Sequence, residues 1–218
     1  MDRISKKNIF AFLILGGSCV LLVWTLLSRL DRRPKMRLEP YQAAGERAAQ
    51  EIATLTRTKG RILVIVEDFG EYNMAWAAEQ LEAFKKGLNK HGVQLAAVEK
   101  VTDPMISEAA RTRFSAADFA KMLRNHPGID GVVIFANFPP NADQEFAVFA
   151  AAQLRVVTVS NYGPGLKRLL ETKSVQVAIV PRDDPATVAS KSRSSAAWFD
   201  AYYRVLTPDH VPPLDYSP

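Results

Sequence analysis

Polar and aromatic side chains follow directly after several apolar, strand-like bursts of the sequence. Side chains of these types can hydrogen-bond to a small polar ligand and stack against it. In an open parallel sheet, such segments meet at one edge, beyond the carboxyl ends of the strands, where ligands bind. The same residue types also form turns and helix caps, so their presence alone does not establish a site. The candidate ligand-binding residues are Asp68, Tyr72, Asn137, Asn161 and Arg182.

Motifs for catalysis and for tight cofactor binding are missing from the sequence. It contains no GxSxG elbow, no HExxH, no Walker sequence and no GxGxxG after the first strand. Several acidic residues could gather around a divalent cation, but turn and capping roles fit them better because no His joins them. We therefore predict no catalytic residue, no metal site and no cofactor. The acidic residues in question are Glu67, Asp68, Glu71, Asp183 and Asp184.

Five apolar bursts alternate with amphipathic stretches from residue 61 onward. The bursts are short, β-branched and nearly continuous, which is typical of strands buried on both faces of a parallel sheet. The alternation predicts an α/β fold, a doubly wound three-layer sandwich with a mostly parallel five-stranded sheet in the flavodoxin-like order 2-1-3-4-5. The bursts are residues 62–66, 93–98, 131–136, 154–160 and 175–180, and the helical stretches are residues 73–90, 115–125, 143–153 and 165–172.

An apolar run without charges occupies residues 9–27. Its 19 residues are close to the roughly 20 needed to cross a bilayer as a helix. We predict a tail over residues 1–8 and a transmembrane helix over residues 9–30. A cleaved signal peptide and lipidation at Cys19 are alternatives, but the run is long for a signal peptide, and its sequence before Cys19 departs from a lipobox.

The basic residues concentrate beside the predicted membrane span. Residues 1–37 contain eight of the 28 Lys and Arg and two of the 23 Asp and Glu, which leaves 20 basic and 21 acidic residues in the remainder. A domain so close to neutral has no broad positive surface for phosphates, so nucleic acid is not an expected partner. Three basic residues precede the span and five follow it, yet long domains translocate despite flanking charge, and we favour a periplasmic or external domain.

The rest of the chain divides into three regions. Residues 31–60 form a juxtamembrane segment with a helix that is either a stalk or a first helix packed on the domain. Residues 61–184 form the α/β domain, and residues 185–218 form a linker, an aromatic helix over 198–206 and a Pro-rich tail. The aromatic helix must bury its rings on the domain or on a partner. The candidate partner-binding residues are Trp198, Tyr202 and Tyr203.

Three segments together resemble the N-terminal subdomain of type 1 periplasmic binding proteins, the sugar-binding and LacI-like group. They are residues 61–101, 119–139 and 154–161, and the run Gly128-Ile129-Asp130-Gly131 is the most particular element. That family binds its ligand in a cleft between two lobes, whereas this chain has sequence for one. The resemblance implies a single lobe fused to an anchor, used either as half of a shared site or as an interaction domain.

A second resemblance is to response-regulator receiver domains, through Glu67-Asp68 after the first strand and Ser160 after the fourth. Phosphotransfer in that family requires an Asp after the third strand and a Lys after the fifth. Those places contain Asn137 and Pro181-Arg182, so the chain resembles at most a degenerate receiver.

The sequence thus predicts a membrane-tethered, non-enzymatic α/β domain that binds a partner protein or a small ligand, as a subunit of an envelope complex. The expected location is the inner membrane, with residues 9–30 in the bilayer and a membrane protein or a second copy as partner. The alternatives are a small-molecule hydrolase or transferase acting from the strand-end loops, or the degenerate receiver-like domain.

Overall fold

The computed structural model describes Trp24 and residues 36–57, 59–68, 74–102, 116–138, 153–183 and 194–213. The chain divides into two compact units, Met1–Arg37 and Leu38–Pro218, and the second unit is called the lobe below. The elements of the lobe, in chain order, are α1 (Glu39–Leu55), β1 (Arg61–Asp68), α2 (Ala75–Lys90), β2 (Gln94–Thr102), α3 (Ala116–Asn125), β3 (Gly131–Phe135), β4 (Arg155–Val159), α4 (Pro164–Glu171), β5 (Val177–Pro181), α5 (Ser195–Tyr202) and β6 (Tyr203–Leu206).

The strands form one mostly parallel sheet in the order β2-β1-β3-β4-β5-β6. The pairs from β2 to β5 are parallel, and their order is the predicted 2-1-3-4-5. The prediction of five strands was wrong, because β6 adds a sixth that pairs antiparallel with β5. This strand gives the backbone groups along the outer edge of β5 hydrogen-bond partners that the five-stranded sheet would have lacked.

The aromatic stretch near the end of the chain is helical over only half of its predicted length. The helix predicted over residues 198–206 ends at Tyr202, and the chain continues as β6. Tyr203 and Leu206, at the two ends of β6, are buried. The short run Tyr-Arg-Val-Leu is aromatic and β-branched, which suits a strand, and the unpaired edge of β5 decides in favour of pairing.

Helices cover both faces of the sheet, as a three-layer sandwich requires. On one face, Phe119 of α3 and Leu166 of α4 join the apolar side chains of the sheet. On the other face, Ile52 of α1, Phe84 of α2 and Phe199 of α5 do the same. We call these the α3–α4 face and the α1–α2 face.

The first helix of the lobe is part of its core. Helix α1 contacts α2, α5 and strands β3, β4 and β5, and Ala44, Ala48 and Ile52 are fully buried. Of the two alternatives for this helix, a stalk and a packed first helix, the structure has the packed one. Helix α2, which connects β1 to β2, lies on the α1–α2 face, whereas α3 and α4 lie on the opposite face. Helices α1 and α5 cover the part of the α1–α2 face of the sheet that α2 does not reach.

The Gly128–Gly131 run closes the amino end of the sheet. Gly128 has φ +73, a backbone conformation that favours glycine. The Asp130 carboxylate accepts a hydrogen bond from the backbone N–H of Arg61 at 2.8 Å. A side chain at Gly131 would meet Ile52 at 2.8 Å, so close packing of α1 explains this second glycine.

Three sequence predictions fall outside the described residues. They are the linker up to residue 193, the helix predicted over residues 143–153 up to residue 152, and the membrane span over residues 9–30 apart from Trp24, which is 71% exposed. The last residues of the predicted linker are not linker, because α5 already begins at Ser195. Among the described residues, no helix combines the length and the apolar character that crossing a bilayer requires.

Candidate functional site

The carboxyl ends of β1, β3 and β4 lie side by side, because these three parallel strands are neighbours in the sheet. They bring Asp68, Asn137 and Asn161 to one edge, which we call the carboxyl edge. In this strand order the chain continues from β1 toward β2 and from β3 toward β4, in opposite directions along the sheet, so a crevice for ligands is expected between β1 and β3.

Asn137 ties the three strand ends together. Its backbone N–H donates to the Glu67 carboxylate at 2.9 Å. Its side-chain oxygen accepts a hydrogen bond from the backbone N–H of Asn161 at 3.0 Å and one from the Ser160 hydroxyl at 3.5 Å. Hydrogen bonds within the lobe therefore hold polar groups at the ends of β1, β3 and β4 in fixed positions, as a preorganised site requires.

The segment after β4 is fixed from both sides. Ser160 is buried, and its backbone N–H donates to the Ile179 carbonyl at 3.1 Å. Its hydroxyl also lies within hydrogen-bond distance, 3.2 Å, of the Asn161 carbonyl. Asn161 itself is exposed, and within the described part of the chain its carboxamide makes no hydrogen bond. That carboxamide is therefore available to a ligand.

The predicted ligand-binding residues at and after the end of β1 were Asp68 and Tyr72. Asp68 lies at the end of β1, and its carboxylate is 3.6 Å from the ammonium group of Lys100 on β2, so it faces the β2 side. The neighbouring Glu67, which was not among the predicted ligand-binding residues, is the acid that bonds to Asn137. Tyr72 lies outside the described residues.

Arg182 follows β5, and the structure directs it toward β6. Its Nε donates to the Tyr203 carbonyl at 3.0 Å, and its backbone N–H donates to the Tyr202 carbonyl at 2.9 Å. Arg182 is exposed at the carboxyl edge. Strand β4 lies between β5, which Arg182 follows, and β3, which Asn137 follows. Asn137 and Asn161 thus form one cluster, while Asp68 and Arg182 lie on either side of it.

The predicted partner-binding aromatics are mostly interior. Trp198 and Tyr203 are only 8% and 7% exposed, and both belong to the core of the α1–α2 face. Burial, and to a lesser degree the nearby Tyr41 phenol, raises the pKa of Tyr203 well above its usual range. Tyr202 is half-buried and packs against Trp198 with ring centroids 5.8 Å apart. The aromatic helix therefore packs back on the domain.

An aromatic pair near the carboxyl edge was not identified from the sequence. Tyr41 begins α1, Trp76 begins α2, and their ring centroids are 5.4 Å apart. Helix α2 starts after the carboxyl end of β1, and α1 runs alongside it in the same direction, so both N-termini lie toward this edge. Gln42 and Glu79 reinforce the contact through a 2.8 Å hydrogen bond. Only the packing of α1 on α2 brings these rings together, so no local pattern could have revealed them.

No family model and no curated protein matches the chain, whereas solved structures do. AraP, an arabinose-binding protein from Geobacillus stearothermophilus, matches with a TM-score of 0.54 and 16% identity over 78% of this chain and 62% of that one. An ABC transporter solute-binding protein from Burkholderia graminis, in complex with D-arabinose, matches with a TM-score of 0.55 and 19% identity over 81% of this chain and 62% of that one. The XylFII-LytSN complex matches with a TM-score of 0.54 and 11% identity over 78% of this chain and 61% of the matched chain.

These similarities confirm the resemblance predicted from the sequence. The lobe has the fold of periplasmic binding proteins, with sugar-binding proteins among its structural neighbours. The chain spans about 60% of the length of those solved chains.

Proposed function

We propose that this chain is a membrane-tethered, non-enzymatic lobe that binds a small polar ligand of the sugar class at its carboxyl edge. The observation that carries the proposal is the preorganised cluster of Asn137, Asn161, Ser160 and Glu67 at the switch between β1 and β3. Carboxamides and carboxylates suit hydroxyl groups, because they supply both donors and acceptors. Solved sugar-binding proteins with the same fold support this class of ligand.

Calorimetric titration of the full-length chain in detergent with D-arabinose, D-glucose, D-galactose and D-fructose tests the ligand class. We expect at least one of these sugars to bind, and Asn161→Ala to weaken its binding about five- to tenfold, since a lost hydrogen bond to ligand is worth roughly 1–1.5 kcal/mol. Asn161→Ala removes the exposed carboxamide but keeps the backbone N–H that bonds to Asn137.

Asn125→Ala is the matched control, because Asn125 is an exposed asparagine at the end of α3. It should bind as the wild type does. Failure of every sugar to bind, or equal weakening by both variants, would remove the support for a sugar site at the carboxyl edge.

A protein partner is the second candidate function. One structural neighbour is the XylFII-LytSN complex, in which a protein of this fold is part of an assembly. The carboxyl edge would then be a shared surface, contributed by this lobe and by a membrane protein or a second copy. In detergent, Asn161→Arg would abolish an assembly that forms through the carboxyl edge. An assembly that forms through other surfaces would remain intact.

The proposed tether is residues 9–30, with the lobe on the periplasmic or external side. We expect the full-length chain to remain in the membrane pellet after a high-salt wash, because the charge-free apolar run over residues 9–27 is long enough to partition into lipid as a helix. Deletion of residues 9–30 should move the chain to the supernatant. Recovery of the intact full-length chain in the supernatant would contradict the tether.

A further inference from the structure

Arg204 on β6 carries an unsatisfied donor. It lies opposite Val180 in the antiparallel pairing of β5 and β6, and its side chain is 34% exposed. The Nε atom, however, is shielded from solvent and has no hydrogen-bond partner among the described residues. A guanidinium N–H that is shielded from water and has no acceptor raises the free energy of the folded lobe. An acceptor that reaches this N–H would therefore be bound favourably.

A second arginine lies on the same side of the sheet. Side chains alternate along a strand, so Arg182, two residues beyond Val180, shares a face with Val180 and with Arg204 opposite it. The one described hydrogen bond of the Arg182 guanidinium goes from Nε to the Tyr203 carbonyl. One arginine on β6 and one directly after β5 therefore lie at the end of the β5–β6 pair.

The acidic groups that the structure describes nearby compensate these two charges only weakly. Asp183 is 3.6 Å from Arg204 but is 94% exposed, and ion pairs with such exposed groups contribute little. Glu171 is already paired with Lys167 at 3.3 Å. The Tyr162 hydroxyl, close enough for Arg204 to influence it electrostatically, donates to the Pro212 carbonyl.

We propose that Arg204 and Arg182 form an oxyanion-binding site that takes a carboxylate or phosphate group of a small molecule. A guanidinium presents its Nε and Nη donors as a planar fork that matches two oxygens of such a group. Binding of this kind requires the Arg204 side chain to turn so that Nε and an Nη face the oxyanion together, in place of the 3.6 Å contact with Asp183. The site lies at the β5–β6 end of the sheet, and it does not depend on sugar binding at Asn137 and Asn161.

Titration of the full-length chain in detergent with sodium phosphate, and in parallel with sodium acetate, tests this site. Ionic strength is held constant with sodium chloride, and the chain is ¹⁵N-labelled at arginine, so that the Nε–H resonances of Arg204 and Arg182 can be followed by NMR. The Arg182 resonance reports binding by the Arg204 variants, and the Arg204 resonance reports binding by the Arg182 variant. We expect a saturable shift of that resonance with at least one of the two anions, and the tighter one identifies the class of anion.

Arg204→Gln should weaken binding about tenfold or more, and Arg204→Lys nearly as much, because a lysine retains the charge but not the fork. Arg182→Gln should weaken it less, and the exposed Arg124→Gln should leave it unchanged. If Arg204→Gln fails to fold, Arg204→Lys and the wild-type resonance still decide. No saturable shift with either anion, or equal binding by wild type and Arg204→Lys, would overturn the proposal.

Discussion

We expect Phe84→Ala to lower the free energy of unfolding of the lobe by about 3–5 kcal/mol. The Phe84 side chain is fully buried and meets Phe135 edge-on, with ring centroids 5.3 Å apart. It joins α2 to the strand that carries Asn137, so its removal leaves a cavity beneath the carboxyl edge. Urea unfolding of the full-length chain in detergent measures the loss.

The control for this variant is Lys86→Ala, an exposed position on the same helix. Its unfolding free energy should stay within about 0.5 kcal/mol of the wild type. If Phe84→Ala were equally mild, α2 could not be packed on the sheet as described.

A single added methyl group between the first two helices should be almost as damaging. A Cβ at Gly45 would lie 2.2 Å from the Gln80 carbonyl oxygen and 3.1 Å from the Phe84 backbone nitrogen. Helix propensity alone favours Ala over Gly by about 1 kcal/mol. Because the clash is with helix backbone, no side-chain rotation relieves it, and we expect Gly45→Ala to destabilise the lobe by about 3 kcal/mol, the upper end of overpacking effects.

Gly163→Ala is the matched control, since a Cβ at Gly163 meets nothing within 4 Å and its backbone is extended, with φ −158. Because Gly163 precedes α4 as its N-cap, the loss measured by urea unfolding should stay within about 1 kcal/mol, the usual cost of a poorer N-cap residue. A stabilised Gly45→Ala variant would mean that α1 behaves as a free helix, the stalk alternative. The sign of the change therefore distinguishes the two arrangements.

The strands and their order could be predicted from the sequence because burial on both faces leaves a continuous apolar run, as in the Ile-Leu-Val-Ile-Val run of β1. Strand β6 could not be predicted in this way. Its four residues follow directly after α5, and what makes them a strand is the unpaired edge of β5, which lies 22 or more residues earlier in the chain. Local periodicity carries no information about such an edge.

Part of the candidate site could also be predicted from the sequence. Asn137 and Asn161 follow predicted strands, and the rule that parallel strands share a carboxyl edge is sufficient to bring them together. The role of Glu67 depends on the side chains of β1, which alternate between faces near the strand end. A shift of one residue decides whether Glu67 or Asp68 reaches Asn137. The Tyr41–Trp76 pair and the shielded Nε of Arg204 depend on tertiary packing and were invisible in the sequence.

Hydrogen–deuterium exchange of the full-length chain, with and without a saturating sugar from the panel, tests the location of the site most directly. We expect slower exchange in peptides that cover residues 135–138 and 159–163, and no change in peptides that cover residues 126–131 at the opposite edge of the sheet. Protection confined to that opposite edge, or no protection anywhere with a sugar that binds, would contradict a binding site at the carboxyl edge.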